Sequence, residues 1–332
     1  MYRTSDLSKV LKEFLKDEPG KNIMISGAPG IGKSEIVYNV AKSVDKKMLE
    51  IRLYEEGETA SGLPSLNDGV VFFHTPFWFE ELKQGKCDIL FLDDFHLVSP
   101  EIQKYLYKLL TSRELHNHKI DHPIDIIMAG NFNIESASSS IVQSPIMNRI
   151  HQGIEYLPSV ENFLNWGAMS GRIDYRVLAF LKINPDTLYT EDPEPSTLFP
   201  SPRSWEYLSS NVQSTNSPEY ATGIIGKRVG SIFQEYWKML SKTKEEILKT
   251  NPNDLSSKDV ITSTMILANE FINSKEDKRI LNWIKDVPAD ILYLWSRYVF
   301  SKMKNKFIHK LFNDKDYFFL KDSLGEVADI IS

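Results

Sequence analysis

A glycine-rich loop is the feature that limits the fold and the function of this chain most strongly. It lies between an apolar run and an amphipathic run. The loop fits the pattern G-x-x-x-x-G-K-[ST] at every fixed position, and its residues are Gly27, Ala28, Pro29, Gly30, Ile31, Gly32, Lys33 and Ser34. Residues 22–26 (NIMIS) predict a buried strand before it, and residues 33–43 have helical spacing after it. A plain glycine-rich turn is the alternative, but eight residues in register favour a phosphate-binding loop.

The chemistry of such a loop explains its residue types. Glycines let the backbone N–H groups surround phosphate oxygens, and the dipole of the following helix adds positive potential. The Lys33 ammonium reaches the β- and γ-phosphates, and the Ser34 hydroxyl can ligate Mg²⁺. The loop therefore predicts a site for a nucleoside triphosphate, with ATP and Mg²⁺ as the expected pair.

Three further apolar runs predict the rest of a parallel sheet. They occupy residues 48–53, 89–92 and 124–129. Each run is short and almost continuously apolar, as strands buried on both faces are, and helical or turn segments separate them. After Pro158 the strand signals fade and the segments become amphipathic and helical. We therefore predict an α/β nucleotide-binding core over residues 1–157, and an α-helical lid with a C-terminal helical extension over residues 158–332.

Composition limits the classes of function. The chain has 332 residues, enough for two domains of about 150 residues each. Its net charge of −6 excludes a polycation that coats nucleic acid, so any nucleic-acid site would be local. The single cysteine, Cys87, is typical of a reducing compartment. Because the N-terminus is polar and no apolar run reaches about 18 residues, we expect a cytoplasmic protein with no membrane segment.

Polar residues follow two of the predicted strands, where a sheet would present them to the phosphate loop. Asp93 and Asp94 end one run, and Asn131 follows another. A carboxylate at such a strand end can hold Mg²⁺ through water, so Asp93 is the metal-side candidate together with Ser34. Asp94 is placed to orient or activate the attacking water, and the Asn131 amide to hold it. Both Asp-Asp and Asn are also common in tight turns, which is the alternative for either signal taken alone.

Together these motifs resemble those of the AAA+ ATPases, and within them the MoxR-like group that carries an insert in the second core helix. The phosphate loop matches their Walker A motif, Asp93 and Asp94 match Walker B, and Asn131 matches sensor 1. Residues 59–75 resemble the helix-2 insert, and residues 113–122 resemble the hairpin that precedes sensor 1. In relatives both excursions face a central pore or a partner.

Two arginines gain roles only through this resemblance. The run SPIMNRI, residues 144–150, resembles the end of the fourth core helix, which implies that Arg149 is an arginine finger for a neighbouring subunit. Such a finger is worth about 10³ to 10⁵ in rate. The run PRSW resembles sensor 2 at the start of a lid helix, which implies that Arg203 approaches the γ-phosphate. The alternatives are a surface ion pair for Arg149, and stacking on Trp205 or pairing with Glu206 for Arg203.

The resemblance implies an ATPase that works as a homo-oligomeric ring, by resemblance a hexamer, and remodels a client protein. A von Willebrand A-type protein is an implied partner. One residue departs from the family pattern: the usual second acid of Walker B is Glu, and Asp94 is one methylene shorter, which puts fast hydrolysis in doubt. A nucleic-acid motor or loader is one alternative, although the insert at residues 59–75 contains no Lys or Arg. A slow-hydrolysing scaffold that ATP assembles is another.

Overall fold

The computed structural model describes residues 1–132, 142–191, 193–194, 196–274 and 277–320. Contacts divide the chain into two units, Met1–Pro158 and Ser159–Ser332. The first unit is built on a parallel sheet with helices, and the described part of the second is helical. The predicted fold class is therefore confirmed. The assignment of the second unit as a lid, and the predicted boundary at residues 157/158, stay predictions.

Ten strands form one large sheet and two hairpins in the described part of the first unit. They are β1 Tyr2–Thr4, β2 Asn22–Ser26, β3 Met48–Ile51, β4 Leu63–Asn67, β5 Val70–His74, β6 Ile89–Leu92, β7 Glu114–Leu115, β8 His118–Lys119, β9 Asp125–Gly130 and β10 Gln152–Tyr156. Six of them form a wholly parallel sheet in the order β1-β10-β2-β9-β6-β3. Parallel strands present their carboxyl ends at one edge, which is where open α/β sheets bind ligands.

Fifteen α-helices lie in the described residues. They are α1 Leu7–Lys16, α2 Lys33–Ser43, α3 Leu53–Glu56, α4 Phe77–Lys83, α5 Pro100–Ser112, α6 Ser144–Met147, α7 Val160–Ser170, α8 Tyr175–Ile183, α9 Pro202–Thr215, α10 Lys227–Lys238, α11 Lys244–Leu248, α12 Ser257–Asn273, α13 Lys278–Ile284, α14 Ala289–Met303 and α15 Asn305–Asn313. Local sequence explains where they begin. At α5, for example, the Ser99 side chain accepts the Ile102 N–H and Pro100 occupies the first turn, as the sequence predicts.

The central strands are buried along their whole length, which explains their apolar runs. Every residue of β2, β6 and β9 is buried. The register pairs Ser26, the last residue of β2, with Gly130, the last residue of β9. Leu92, the last residue of β6, pairs with Met128 of β9. The phosphate loop, the two acids and the amide therefore leave the sheet at the same edge.

Two strands are absent from the expectation based on sequence. We expect a helix to open the chain, but β1 precedes it and pairs with β10. These strands carry little apolar signal because β1 lies at the exposed edge of the sheet and β10 mixes polar and apolar residues. Their side chains interact through an ion pair instead, in which Arg3 Nε donates to Glu155 Oε2 at 2.7 Å.

The expected insert forms a hairpin that exposes apolar side chains. Strands β4 and β5 pair around Asp68 and Gly69, whose φ angles of 48° and 78° suit a two-residue type I′ turn. We name residues 63–74 the apolar hairpin, since its exposed members are Leu63, Leu66, Val70, Val71 and Phe72. Strands β7 and β8 form the second hairpin.

Histidines of the second hairpin hold the apolar hairpin at its base. The His116 ring stacks on the Phe73 ring with centroids 3.9 Å apart, and its Nε2 lies 2.6 Å from the Ser61 carbonyl oxygen. His118 Nε2 lies 3.1 Å from the Phe73 carbonyl oxygen. The inner face of the apolar hairpin is therefore anchored, while the residues named above stay in solvent.

The second unit has its own core, in which aromatic rings pack in tilted and edge-to-face pairs. Phe180 contacts Trp205, Phe233 and Tyr236, with ring centroids between 5.2 and 5.4 Å apart.

Within the described ranges, none of the helices combines the length with the apolar character that crossing a bilayer requires.

Candidate active site

The phosphate loop begins where β2 ends and is bonded to the neighbouring strand. The Gly27 amide donates to the Gly130 carbonyl of β9 at 3.2 Å. A Cβ on Gly27 would lie 2.7 Å from Ile31 Cδ1 and 2.8 Å from a backbone oxygen of β10, so only glycine fits there. Gly30 and Gly32 have φ angles of 73° and 92°, which side chains disfavour. The backbone thus needs Gly27 and Gly32, the two glycines that the motif requires, and also favours glycine at position 30, which the motif leaves open.

Lys33 begins α2 and folds back over the phosphate loop. Its ammonium donates to the carbonyl oxygens of Gly27 and Ala28 at 2.8 and 2.9 Å. These contacts place a positive charge beside the N-terminus of α2, which is itself a site for anions. Phosphate oxygens are stronger acceptors than carbonyl groups, so the same ammonium is available to a bound triphosphate.

Ser34 and Asp93, the two predicted metal-side residues, are in direct contact. The Ser34 hydroxyl donates to Asp93 Oδ2 at 2.7 Å. Asp93 is only 5% exposed, and its Oδ1 accepts the Asp94 amide at 3.0 Å. A hydroxyl and a carboxylate are the hard oxygen donors that Mg²⁺ prefers. The donor set therefore fits the expected cation.

Arg52, which sequence analysis did not single out, lies beside this pair. It follows β3, and its Nη2 is 3.9 Å from Asp93 Oδ2. Burial works to lower the pKa of Arg52, but the charges of Glu50, Asp93 and Glu55 outweigh it and raise that pKa. The guanidinium is therefore a fixed positive charge next to the acid that ends β6.

Asp94 and Asn131, the residues predicted to hold the water, follow adjacent strands. Asp94 is half-buried with a φ of 50°, a left-handed conformation that Asp tolerates better than most residues. Asn131 is 6% exposed and comes directly after β9. His96 is a second residue without a sequence signal of its own. It lies two positions after Asp94 and contacts β9, the strand that Asn131 follows. Burial, the largest effect on it, lowers the pKa of His96.

Arg149 lies at the surface after α6, and residues 133–141 before that helix fall outside the described ranges. Its Nε donates to Thr111 Oγ1 at 2.5 Å, and its Nη1 donates to the Pro145 carbonyl at 2.6 Å. Its guanidinium also lies over the Tyr107 ring, 5.6 Å from the centroid. These contacts hold a half-buried cation at the surface of the first unit. Its proposed role in a neighbouring site stays a prediction.

Arg203 is an exposed residue in the first turn of α9, in the second unit. The two alternative partners are engaged elsewhere in the described part of the chain. Trp205 is buried and its Nε1 donates to the Thr187 carbonyl at 3.0 Å, and Glu206 pairs with Arg172 at 2.6 Å. The approach of Arg203 to the γ-phosphate stays a prediction.

These features define a class. In this site a phosphate loop follows one strand of a parallel sheet, and its serine bonds to a buried aspartate that follows the strand two places away. This arrangement is typical of P-loop nucleotide-binding proteins. Residues 22–142 match the family model described as AAA domain (dynein-related subfamily). Residues 22–142 are thus similar to an AAA domain, and the predicted AAA+ family is confirmed for that segment of the first unit.

RuvB is among the known proteins to which this chain is similar in sequence. The chain is 24% identical over 158 residues to the Holliday junction branch migration complex subunit RuvB of Pseudothermotoga lettingae, a match that covers 42% of this chain and 38% of that protein. A structure of a Thermotoga maritima RuvB variant has a TM-score of 0.38 at 15% identity, over 74% of this chain and 76% of that one. The structure described as the Thermotoga maritima RuvB Holliday junction branch migration motor has a TM-score of 0.34 at 12% identity, over 75% and 80%.

Proposed function

We propose that this protein is a Mg²⁺-dependent ATPase that cleaves ATP to ADP and phosphate. The observation that carries the proposal is the hydrogen bond between Ser34 and Asp93, because it joins the phosphate loop to the acid that ends β6. Residues 27–34 bind the phosphates, with the Lys33 ammonium at the β- and γ-oxygens. Ser34 and Asp93 hold Mg²⁺, which when bound neutralises charge on the transferring phosphoryl group.

The remaining site residues position the water and stabilise charge. In this proposal the Asp94 carboxylate accepts a hydrogen bond from the attacking water, and the Asn131 amide fixes its orientation. Phosphoryl transfer passes through a loose transition state, so catalysis rests on positioning and on charge stabilisation. Arg203 of the same chain and Arg149 of a neighbouring subunit supply positive charge at the γ-phosphate.

We further propose that the subunits form a ring, by resemblance a hexamer, that acts on a protein partner. The apolar hairpin supports this choice: Leu66 and Phe72 are 74% and 52% exposed, and the hairpin contains no Lys or Arg. Exposed apolar surface favours a protein partner, whereas a phosphate backbone is bound by cations. The same hairpin favours placement in the MoxR-like group. Nothing in the described residues or the comparisons supports a von Willebrand A-type partner, and it is not part of the proposal.

A nucleic-acid motor is the second candidate, since the RuvB relative is described by its name as part of a Holliday junction branch migration complex. The second hairpin weakens this candidate. Its Arg113 is directed inward and donates to the carbonyls of Gly20, Ile124, Leu109 and Leu110. Burial lowers the pKa of Arg113. The other cation of residues 113–122, Lys119, is exposed.

The test is steady-state ATP hydrolysis per subunit, measured across a wide range of protein concentration with Arg149→Ala in parallel. If Arg149 completes a neighbour's site, the rate per subunit rises with concentration, and the variant loses about 10³-fold or more. Arg228→Ala, which removes an exposed arginine of α10, is the matched control and should match the native rate.

Two additions to the same assay separate the alternatives. Stimulation by DNA that falls as salt rises would favour the nucleic-acid motor. Tight ATP binding without turnover at any concentration would favour the ATP-assembled scaffold. A rate that is independent of concentration and equal in Arg149→Ala would contradict the shared-site proposal.

A further inference from the structure

His96 is a half-buried titratable residue at the candidate active site to which the proposed mechanism gives no role. It lies in the 3₁₀ turn Phe95–Leu97, which follows the two acids at the end of β6. Its Nδ1 is shielded from solvent and has no hydrogen-bond partner among the described residues. A buried imidazole nitrogen without a hydrogen-bond partner costs folding free energy. We therefore expect Nδ1 to gain a partner in another state of the site.

The ring packs against the strand that leads to Asn131. A Cβ on Gly130 would lie 3.0 Å from His96 Nδ1 and 3.1 Å from the His96 backbone nitrogen. The Phe132 ring meets the imidazole edge-on, with centroids 6.4 Å apart. Gly130 also accepts the amide hydrogen of Gly27. The imidazole is therefore wedged between the turn that carries Asp94 and the backbone that joins sensor 1 to the phosphate loop.

Asp94 occupies the N-cap position of the turn that carries His96 and is the acid nearest to this ring in the sequence. Burial is the largest effect on His96 and lowers its pKa below the ordinary 6.5. The largest charge effect comes from Asp94 and opposes burial, followed by those of Lys33 and Asp93. At neutral pH the ring is neutral, so it offers one donor and one acceptor nitrogen.

We propose that His96 is a positioning residue for hydrolysis: when ATP is bound, its Nδ1–H donates to the Asp94 carboxylate and compensates for the methylene that Asp94 lacks relative to Glu. This inference rests on the proposed ATPase function. In this proposal the hydrogen bond from His96 fixes the Asp94 carboxylate beside Asn131. The Asp94 side chain is too short to hold that position by itself. The histidine acts through Asp94 and does not touch the nucleotide.

The variants separate the hydrogen bond from the packing. The amide nitrogen of His96→Asn lies near the position of Nδ1, that of His96→Gln lies near Nε2, and His96→Leu keeps bulk without a polar atom. We expect kcat to fall about tenfold or more in His96→Leu and His96→Gln. His96→Asn should stay within about threefold of the native kcat, and all three should bind ATP with little change in Kd. His309→Leu, at an exposed histidine of α15, is the control.

A double-mutant cycle tests the compensation itself. With the longer carboxylate of Asp94→Glu, the effect of His96→Leu on kcat should shrink to less than about threefold. Equal losses in both backgrounds, or equal kcat in the Asn, Gln and Leu variants, would overturn the proposal. Thermal unfolding of each variant shows whether a loss of rate is a loss of fold.

Binding of a non-hydrolysable ATP analogue gives a readout that needs no turnover. The protein is labelled with ¹⁵N-histidine, and the Nδ1 resonance of His96 is assigned by its loss in His96→Asn. This resonance should shift when Mg²⁺ and the analogue are added. It should not shift in Asp94→Ala. An unchanged resonance in the native protein would refute the hydrogen bond. If native protein binds ATP but never hydrolyses it, the proposed ATPase function fails and the positioning role fails with it, while this measurement still decides whether His96 and Asp94 form the hydrogen bond.

Discussion

At the scale of single residues, the length of the Asp94 side chain is the main determinant of the expected rate. Its backbone is held in a left-handed conformation, and its carboxylate is one methylene shorter than the glutamate usual at this position. The residues proposed to bind nucleotide do not share this departure, because the loop glycines, Lys33, Ser34 and Asp93 all match their motifs. Binding and hydrolysis should therefore respond separately to substitution.

The direct prediction concerns Asp94→Glu. We expect kcat to rise about tenfold, because the longer carboxylate reaches the water without help, with little change in the Kd for ATP. Asp94→Asn keeps the size and removes the charge, so it should bind ATP normally and lose about 10²-fold or more in kcat. Single-turnover hydrolysis and equilibrium binding measure the two effects. A lower kcat in Asp94→Glu would mean that the native site is shaped around the shorter acid.

Site residues with a motif were predictable and those without one were not. The spacing of residues 27–34 and the acids at the end of β6 predicted that Ser34 and Asp93 would be neighbours, since parallel strands share one edge. Arg52 and His96 carry no such pattern. Their relation to the site arises only when β3 lies beside β6 and the turn after β6 packs on β9.

At the scale of elements, the fold was predictable where strands are buried on both faces. The apolar runs of β2, β6 and β9 identified these strands, because nothing but burial explains such runs. Strand β1 is short and solvated, and its pairing depends on β10, which is distant in sequence. Local periodicity therefore predicted β2, β9, β6 and β3, and it missed β1 and β10 at one side of the sheet.

A prediction at this scale concerns the base of the apolar hairpin. Gly62 has a φ of 95°, and a Cβ there would lie 2.2 Å from the His74 carbonyl oxygen. Gly62→Ala should destabilise the first unit by about 2 kcal/mol or more, from strain and overlap together. Gly69 in the turn has a φ of 78° with no atom near its Cβ position, so Gly69→Ala should cost only about 1 kcal/mol. Urea unfolding compares the pair, and equal losses would contradict the backbone clash at Gly62.

At the scale of the whole molecule, each unit has its own core and should respond to its own defects. In the second unit, Asp174 and Arg176 form a buried ion pair with an Nε to Oδ1 distance of 2.7 Å. Asp174→Ala leaves the guanidinium uncompensated and should cost about 3 to 5 kcal/mol. Asp290→Ala breaks an exposed pair with Lys182 in the same unit and should cost at most about 1 kcal/mol.

Hydrogen exchange locates the effect of Asp174→Ala. Protection should fall in peptides from α8, α9 and α12, and stay at the native level in β2 and β9. Loss of protection across both units at once would show that the chain unfolds as one cooperative body.

The apolar hairpin has a consequence for how the chain is produced. A two-stranded ribbon that pairs with no third strand among the described residues, and that exposes Val, Leu and Phe side chains to water, is a template for pairing with further chains. Chains that are produced in excess of the partner that covers this ribbon should therefore aggregate. The yield of soluble protein should then rise with the amount of that partner. Recombinant preparations should gain solubility from Leu66→Ser together with Phe72→Ser, in proportion to the apolar area removed.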